Sequence, residues 1–128
     1  MVADSPLVLV VDDELHICNI LRRILKQGGY QVITAPDGKT ALRLIQEKKP
    51  DVILLDLLMP GMDGREVCQR VRESSTKTQI VYFTAKPDAL DPLESKELRR
   101  EADAFIAKPA TSKQILSEVN RVLQVSQR

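Results

Sequence analysis

Five short apolar runs punctuate the chain: Leu7–Val11, Tyr30–Ala35, Asp51–Asp56, Gln79–Thr84 and Ala104–Ala107. They predict strands β1 to β5 in that order. Leu7-Val8-Leu9-Val10-Val11 and Val52-Ile53-Leu54-Leu55 are apolar at every position. A strand with one wet face would alternate, so a continuous run fits a parallel strand covered on both faces. Between the runs the period changes to that of an amphipathic helix. Glu14–Gln27 (predicted α1) puts Leu15, Cys18, Leu21, Ile24 and Leu25 on one stripe, and Gly28-Gly29 stops it. Lys39–Lys48 (predicted α2) carries Ala41, Leu42 and Ile45. Arg65–Arg72 (predicted α3) carries Val67, Cys68 and Val71. Ala89–Arg100 (predicted α4) has the poorest stripe, only Leu90, Leu93 and Leu98 among many charges. Ser112–Val125 (predicted α5) carries Ile115, Leu116, Val119, Val122 and Leu123, with Thr111 or Ser112 as its N-cap.

Strict strand–helix alternation implies right-handed crossovers and a parallel sheet with helices on both faces. Five (βα) units are too few for a closed eight-fold barrel. The fold class is therefore α/β, an open doubly wound (βα)5 sheet. Its ligand site belongs at the carboxyl ends of the strands.

Composition adds little to this and excludes several functions. At 128 residues the chain fits a single domain, residues 1–128, with a core large enough to stand without disulfides. Cys18 and Cys68 both lie in helical patterns and read as small core or surface residues, which suits a reducing, cytoplasmic location. No run approaches the ~20 apolar residues of a transmembrane helix. Met1-Val2-Ala3-Asp4-Ser5-Pro6 lacks the basic and apolar pattern of a signal peptide. A net charge of +1 gives no general attraction to nucleic acid or anionic lipid, and with 3% aromatic residues there is no stacking platform. Ser126-Gln127-Arg128 reads as a short polar tail, or as the place where a longer chain was cut.

The chemistry lies at the strand ends. β1 ends in Asp12-Asp13-Glu14, β3 in Asp56, β4 in Thr84-Ala85 and β5 in Lys108-Pro109. In a parallel sheet these converge on one edge. Three converging aspartates repel one another, which raises the pKa of at least one unless a counter-charge is present. Mg²⁺ resolves the conflict, since it prefers carboxylate, water and phosphate oxygens. Asp12-Asp13 alone would also serve as a helix N-cap, and Asp56 alone as a loop-initiating acid. Lys108 can balance the acids and then contact a phosphoryl oxygen. Thr84 offers a hydroxyl to the same oxygen, and Ala85 leaves room beside it. An aspartate can attack phosphorus to form an acyl phosphate while cations and donors stabilise the equatorial oxygens. No Gly-rich P-loop or G-x-G-x-x-G is present, so the phosphoryl group comes from another molecule.

At these residues the sequence resembles the bacterial two-component response-regulator receiver family, the chemotaxis-Y-like domains. The matching segments are Val10-Val11-Asp12-Asp13-Glu14, Asp51-Val52-Ile53-Leu54-Leu55-Asp56 and Met59-Pro60-Gly61-Met62-Asp63-Gly64, with Thr84-Ala85 and Lys108-Pro109. The resemblance implies a flavodoxin-like fold with strand order 2-1-3-4-5. It implies Asp56 as phosphoacceptor, and Mg²⁺ (Mn²⁺ able to substitute) held by Asp13 directly, by Asp12 mainly through water, by Asp56, and by the backbone carbonyl of Leu58. Thr84 and Lys108 would contact the phosphoryl group. Phe105 would be the switch aromatic that turns inward when Thr84 moves, where plain packing would make it a core residue. The donor would be a sensor histidine kinase or a phosphotransfer protein. The output would be a downstream domain or protein, reached through the α4–β5–α5 face, which also serves for homodimers. Leu58 and Lys86 fall where the family tunes dephosphorylation.

Some features depart from the family. Glu101-Ala102-Asp103 stands where Gly-Ala is common before β5, and the stretch from Ala85 to Ala104 is long, charged and carries Pro87 and Pro92. His16 reads as a surface residue. Two other readings remain open: a small Mg²⁺-dependent phosphohydrolase, marked by rapid turnover of sugar phosphates, and a non-switching scaffold with a vestigial site. The phosphohydrolase would normally carry its two acids two residues apart after β1, and here they are adjacent. The chain is read as a stand-alone receiver or as the N-terminal part of a longer regulator or hybrid kinase.

Overall fold

A computed structural model describes residues 5–74, 77–85 and 101–126. The elements follow in the order β1 (Leu7–Val11), α1 (Leu15–Gln27), β2 (Gln31–Ala35), α2 (Gly38–Lys48), β3 (Val52–Leu55), α3 (Gly64–Ser74), β4 (Gln79–Ala85), β5 (Ala104–Lys108) and α5 (Ser112–Ser126). Predicted α4, with Lys86, lies outside the described residues. The five strands form one sheet in the order β2-β1-β3-β4-β5, and every pair is parallel. That is the expected doubly wound arrangement.

The reason the strand runs are apolar throughout is visible in the packing. Successive side chains point to opposite faces of a strand. Leu9, Val11, Ile53, Leu55, Ile80 and Tyr82 join Ala41 and Ile45 of α2 and Val67, Cys68 and Val71 of α3 in one core. Val8, Val10, Val52, Leu54, Val81 and Phe83 join Cys18, Leu21 and Leu25 of α1 and Ile115, Val119, Val122 and Leu123 of α5 in the other. Each large side chain so buried contributes about 1.5–3 kcal/mol relative to exposure.

Local signals set several helix ends. Asp37 caps α2 by accepting from the Thr40 amide at 2.7 Å, and Asp63 accepts from the Glu66 amide at 3.0 Å at the start of α3. Thr111, not Ser112, caps α5. Its Oγ1 accepts from the Gln114 amide at 3.1 Å while Gln114 Oε1 accepts from the Thr111 amide at 2.8 Å, a reciprocal capping box. After α1, Gly29 adopts φ +95°, which an L side chain rarely tolerates.

One expectation for α1 differs. Leu15 lies on the predicted stripe, yet it is 74% exposed. It is the first residue of the helix, beyond the end of β1, so the stripe position has no sheet beneath it.

Gly64 is needed for closeness, at the point where α3 meets the chain leaving β3. Its amide donates to the Leu57 carbonyl at 3.3 Å. A Cβ here would lie 2.3 Å from the Asp56 carbonyl oxygen and 2.9 Å from Leu57 Cα, both backbone atoms. Gly64→Ala is therefore expected to lower the unfolding free energy by about 1–3 kcal/mol in denaturant titration. A loss under about 0.5 kcal/mol, the range of a neutral surface change, would show that the backbone yields freely.

Candidate functional site at the carboxyl edge of the sheet

The backbone of the neighbouring strand places each acid. The Asp12 amide donates to the Ala35 carbonyl at 3.1 Å, and the Asp56 amide donates to the Val11 carbonyl at 3.0 Å. These bonds continue the ladders one step past β1 and β3. Each acid therefore emerges at a fixed height above the sheet. Asp12 and Asp56 are buried and Asp13 is exposed, and one carboxylate oxygen from each lies within 4.8 Å of the others.

Lys108 comes in from the end of β5. Its Nζ lies 2.7 Å from Asp12 Oδ2 and 3.6 Å from Asp56 Oδ2. The ammonium also sits 5.2 Å from the centroid of the Phe83 ring, a cation–π distance. Burial works against the Lys108 charge. The Asp12 hydrogen bond and the charges of Asp56, Asp12 and Glu14 outweigh it and hold the pKa above the ordinary lysine value. The peptide joining Lys108 to Pro109 is cis.

Asp56 shows the opposite balance. Burial pushes its carboxyl above the ordinary aspartate range, and the charge of Asp12 adds to this. The Leu58 amide, which donates to Asp56 Oδ1 at 3.1 Å, and the Lys108 charge oppose the rise without cancelling it. Burial is thus the main cause of the raised carboxyl, and the neighbouring Asp12 is a smaller one.

Asp12 is not the N-cap of α1. That position is Glu14, which makes no side-chain cap bond, and Asp12 Oδ1 instead accepts from the Glu14 amide at 3.0 Å in a tight turn. Thr84 is buried at the end of β4, and its Oγ1 has no hydrogen-bond partner, alone in this among the buried side-chain polar atoms of the described residues. Phe105 is half-buried and meets Tyr82 edge-on, ring centroids 6.3 Å apart at 82°. Leu58 is exposed, as is His16, whose Nε2 lies 3.6 Å from Glu14 Oε2. Both cysteines are buried, and burial raises both thiol pKa values, which keeps them unreactive.

The apolar pattern did not reveal a second polar cluster between α3 and β5. Arg65 pairs with Glu101 through both guanidinium and carboxylate forks, and the Tyr82 hydroxyl donates to Glu101 Oε2 at 3.1 Å. Arg72 lies 2.7 Å from Asp103 Oδ2, which also accepts from the Ile80 amide at 2.8 Å. Arg65 and Arg72 are seven apart, two turns along one face of α3. That spacing, opposite Glu101 and Asp103, was the available signal.

Fold and site together describe an acidic pocket with one lysine at the carboxyl edge of a doubly wound sheet. The chain belongs to the family described as the response regulator receiver domain, whose family model matches residues 8–120. Receiver domains are phosphoacceptors of two-component systems rather than enzymes in the ordinary sense, and they bind Mg²⁺ at an acidic pocket. The chain is 38% identical over 120 residues to the alkaline phosphatase synthesis transcriptional regulatory protein PhoP of Bacillus subtilis, covering 94% of this chain and 49% of that one. It thus spans about half the length of that curated relative. Among solved structures it is similar to the Vibrio cholerae chemotaxis protein CheY4, with TM-score 0.83 and 33% identity over 94% of this chain and 99% of that one. A response regulator from Chloroflexus aurantiacus matches with TM-score 0.84 and 30% identity, covering 94% and 99%.

The raised Asp56 pKa carries a sign. Its contribution to stability is fully present below the unfolded-state pKa, near 3.9, and is lost as pH rises through the higher folded value. Asp56→Asn, which removes the charge and keeps the shape, is expected to raise the unfolding free energy at pH 7 by about 1 kcal/mol. The gap to wild type should close as pH falls toward 4 in thermal melts. A variant no more stable than wild type at pH 7 would mean the buried charge is fully compensated.

Proposed function

We propose that Asp56 is the phosphoacceptor of this receiver domain, and that residues 1–128 act as one such domain. The observation that carries the reading is the placement of Lys108 Nζ on both buried acids, 2.7 Å from Asp12 and 3.6 Å from Asp56, with Asp13 beside them. An Asp56 carboxylate oxygen attacks the phosphorus of a phosphohistidine on a sensor kinase or phosphotransfer protein. The P–N bond breaks, the imidazole leaves with the electron pair and takes up a proton, and an acyl phosphate forms on Asp56. Lys108 balances charge on the new phosphoryl oxygens. The orphan hydroxyl of Thr84 donates to one of them. Small phosphodonors react at the same carboxylate, slowly and without an enzyme, and water later attacks the phosphorus to restore it.

The donor set fits a hard divalent cation, Mg²⁺ with Mn²⁺ able to substitute. Three carboxylate oxygens lie within 4.8 Å of one another, and the Lys108 ammonium faces them. Asp13 and Asp56 would hold it directly with the Leu58 carbonyl, and Asp12 through water. Bound there, the cation supplies charge neutralisation for the phosphoryl oxygens.

Exposed Leu15 and Ile20 on α1 present apolar surface next to this edge, which supports docking of the donor there. The output runs through the α4–β5–α5 face, where Phe105 is the switch aromatic, toward an output domain, a separate protein or a second copy of the chain. The Bacillus subtilis relative is named a transcriptional regulatory protein, which supports an output in transcription. A cytoplasmic location is part of this reading, since the proposed donors act there; no described helix is long and apolar enough to cross a membrane.

Incubation with acetyl phosphate and Mg²⁺ is expected to add one phosphoryl group by intact mass, with the adduct mapping to Asp56 after borohydride trapping. Chelation should abolish it, and Lys108→Met should leave a shorter-lived or scarcer adduct. An adduct that survives Asp56→Asn would sink the assignment.

A further inference from the structure

The Glu101 cluster does no work in the phosphoacceptor chemistry, yet it joins two elements that flank it. Arg65 sits one residue into α3, next to Gly64, whose amide holds the Leu57 carbonyl directly after Asp56. Glu101 leads into the strand that carries Phe105. The third member, Tyr82, is fully buried in β4 and stands opposite Phe105 in the β4–β5 register. Burial drives its pKa upward, so the hydroxyl remains a donor to Glu101. The thiol of Cys68 closes the cluster by donating to the Glu101 carbonyl at 3.5 Å.

We propose that Glu101 is a positioning residue for the switch: by anchoring Tyr82 and Arg65 it fixes the ring edge on which Phe105 rests when no phosphoryl group is present. The inference rests on the receiver reading above and names a residue that reading does not use.

The strand register supplies the physical reason. Tyr82 and Thr84 share one face of β4, and their partners Phe105 and Ala107 share the same face of β5. Movement of Thr84 toward a phosphoryl oxygen would leave space beside Ala107, whose side chain is a single methyl. Phe105 can enter that space only by leaving its edge contact with Tyr82. The contact therefore belongs to one state, and whatever immobilises the Tyr82 ring biases the equilibrium toward that state. A ligand shifts such an equilibrium only through contacts that differ between the states. The fraction of molecules competent to bind sets the measured affinity. Weakening the anchor should raise that fraction.

The test uses two variants of the whole chain. Glu101→Gln removes the charge that holds Arg65. Tyr82→Phe removes only the anchoring hydroxyl and keeps the ring, so it serves if the first variant folds poorly. Beryllofluoride with Mg²⁺ is titrated as the phosphoryl mimic while the amide signals of Phe105 and Ala107 are followed by NMR. Both variants are expected to show these signals displaced toward the mimic-bound positions before any mimic is added. Half-saturation should fall about two- to tenfold, the range set by one aromatic edge contact. A variant with wild-type signals and wild-type or weaker half-saturation overturns the role of Glu101, whatever its melting temperature. If wild type itself fails to respond to beryllofluoride, the receiver reading falls and this inference with it.

Discussion

Among the described residues, three carboxylates and one ammonium at the end of a buried sheet form a charge set that does not balance itself. Asp12 and Asp56 are buried, Asp13 completes the trio, and Lys108 is shared between the first two at 2.7 and 3.6 Å. At such separations each repulsion is of the same order as each attraction, roughly 4 kcal/mol per pair near a protein surface. Among the described residues, one cation facing three anions leaves excess negative charge. Burial, with a smaller part from the Asp12 charge, raises the Asp56 pKa, and the acids hold the Lys108 pKa above its ordinary value against burial. Under the proposed function, a divalent cation would cancel part of that charge, and a phosphoryl group would draw on Lys108 and the Thr84 hydroxyl.

That charge set needs a rigid frame. Two apolar cores, one on each face of the sheet, fix the strands, and the ladder bonds that run past β1 and β3 fix the acids. Gly64 lets α3 approach within backbone contact of Asp56, so the loop after the acid is pinned at its far end too. A softer sheet would let Asp12 and Asp56 separate and relax, and the imbalance would disappear with them.

The sequence makes these features legible to different degrees. Two-sided burial is written in runs such as Val52-Ile53-Leu54-Leu55, and the parallel sheet follows from them. The site follows in turn, because strand ends in a parallel sheet must converge. Leu15 misled because periodicity assumes a surface beneath every stripe position, and the first turn of α1 has none. Whether Thr111 or Ser112 caps α5 depended on which hydroxyl meets Gln114, a matter of geometry that composition cannot decide. The clamp of Arg65 and Arg72 on Glu101 and Asp103 was hidden for another reason. Charged residues on a helix usually face water, and only the fold shows which of them meet a partner across 36 and 31 residues of chain.

That clamp also explains what stands in place of the small residues common before β5. Glu101 and Asp103 are not free surface charges. Asp103 closes the start of the β4–β5 ladder on the Ile80 amide, and Glu101 reaches the buried Tyr82 hydroxyl. The acids put charge where the chain turns into the strand bearing Phe105, and two arginines of α3 pair with it. The same α3 begins beside Asp56. In this chain the helix that begins beside Asp56 and the strand that carries Phe105 are joined by the ion pairs of Arg65 with Glu101 and Arg72 with Asp103 as well as by the core.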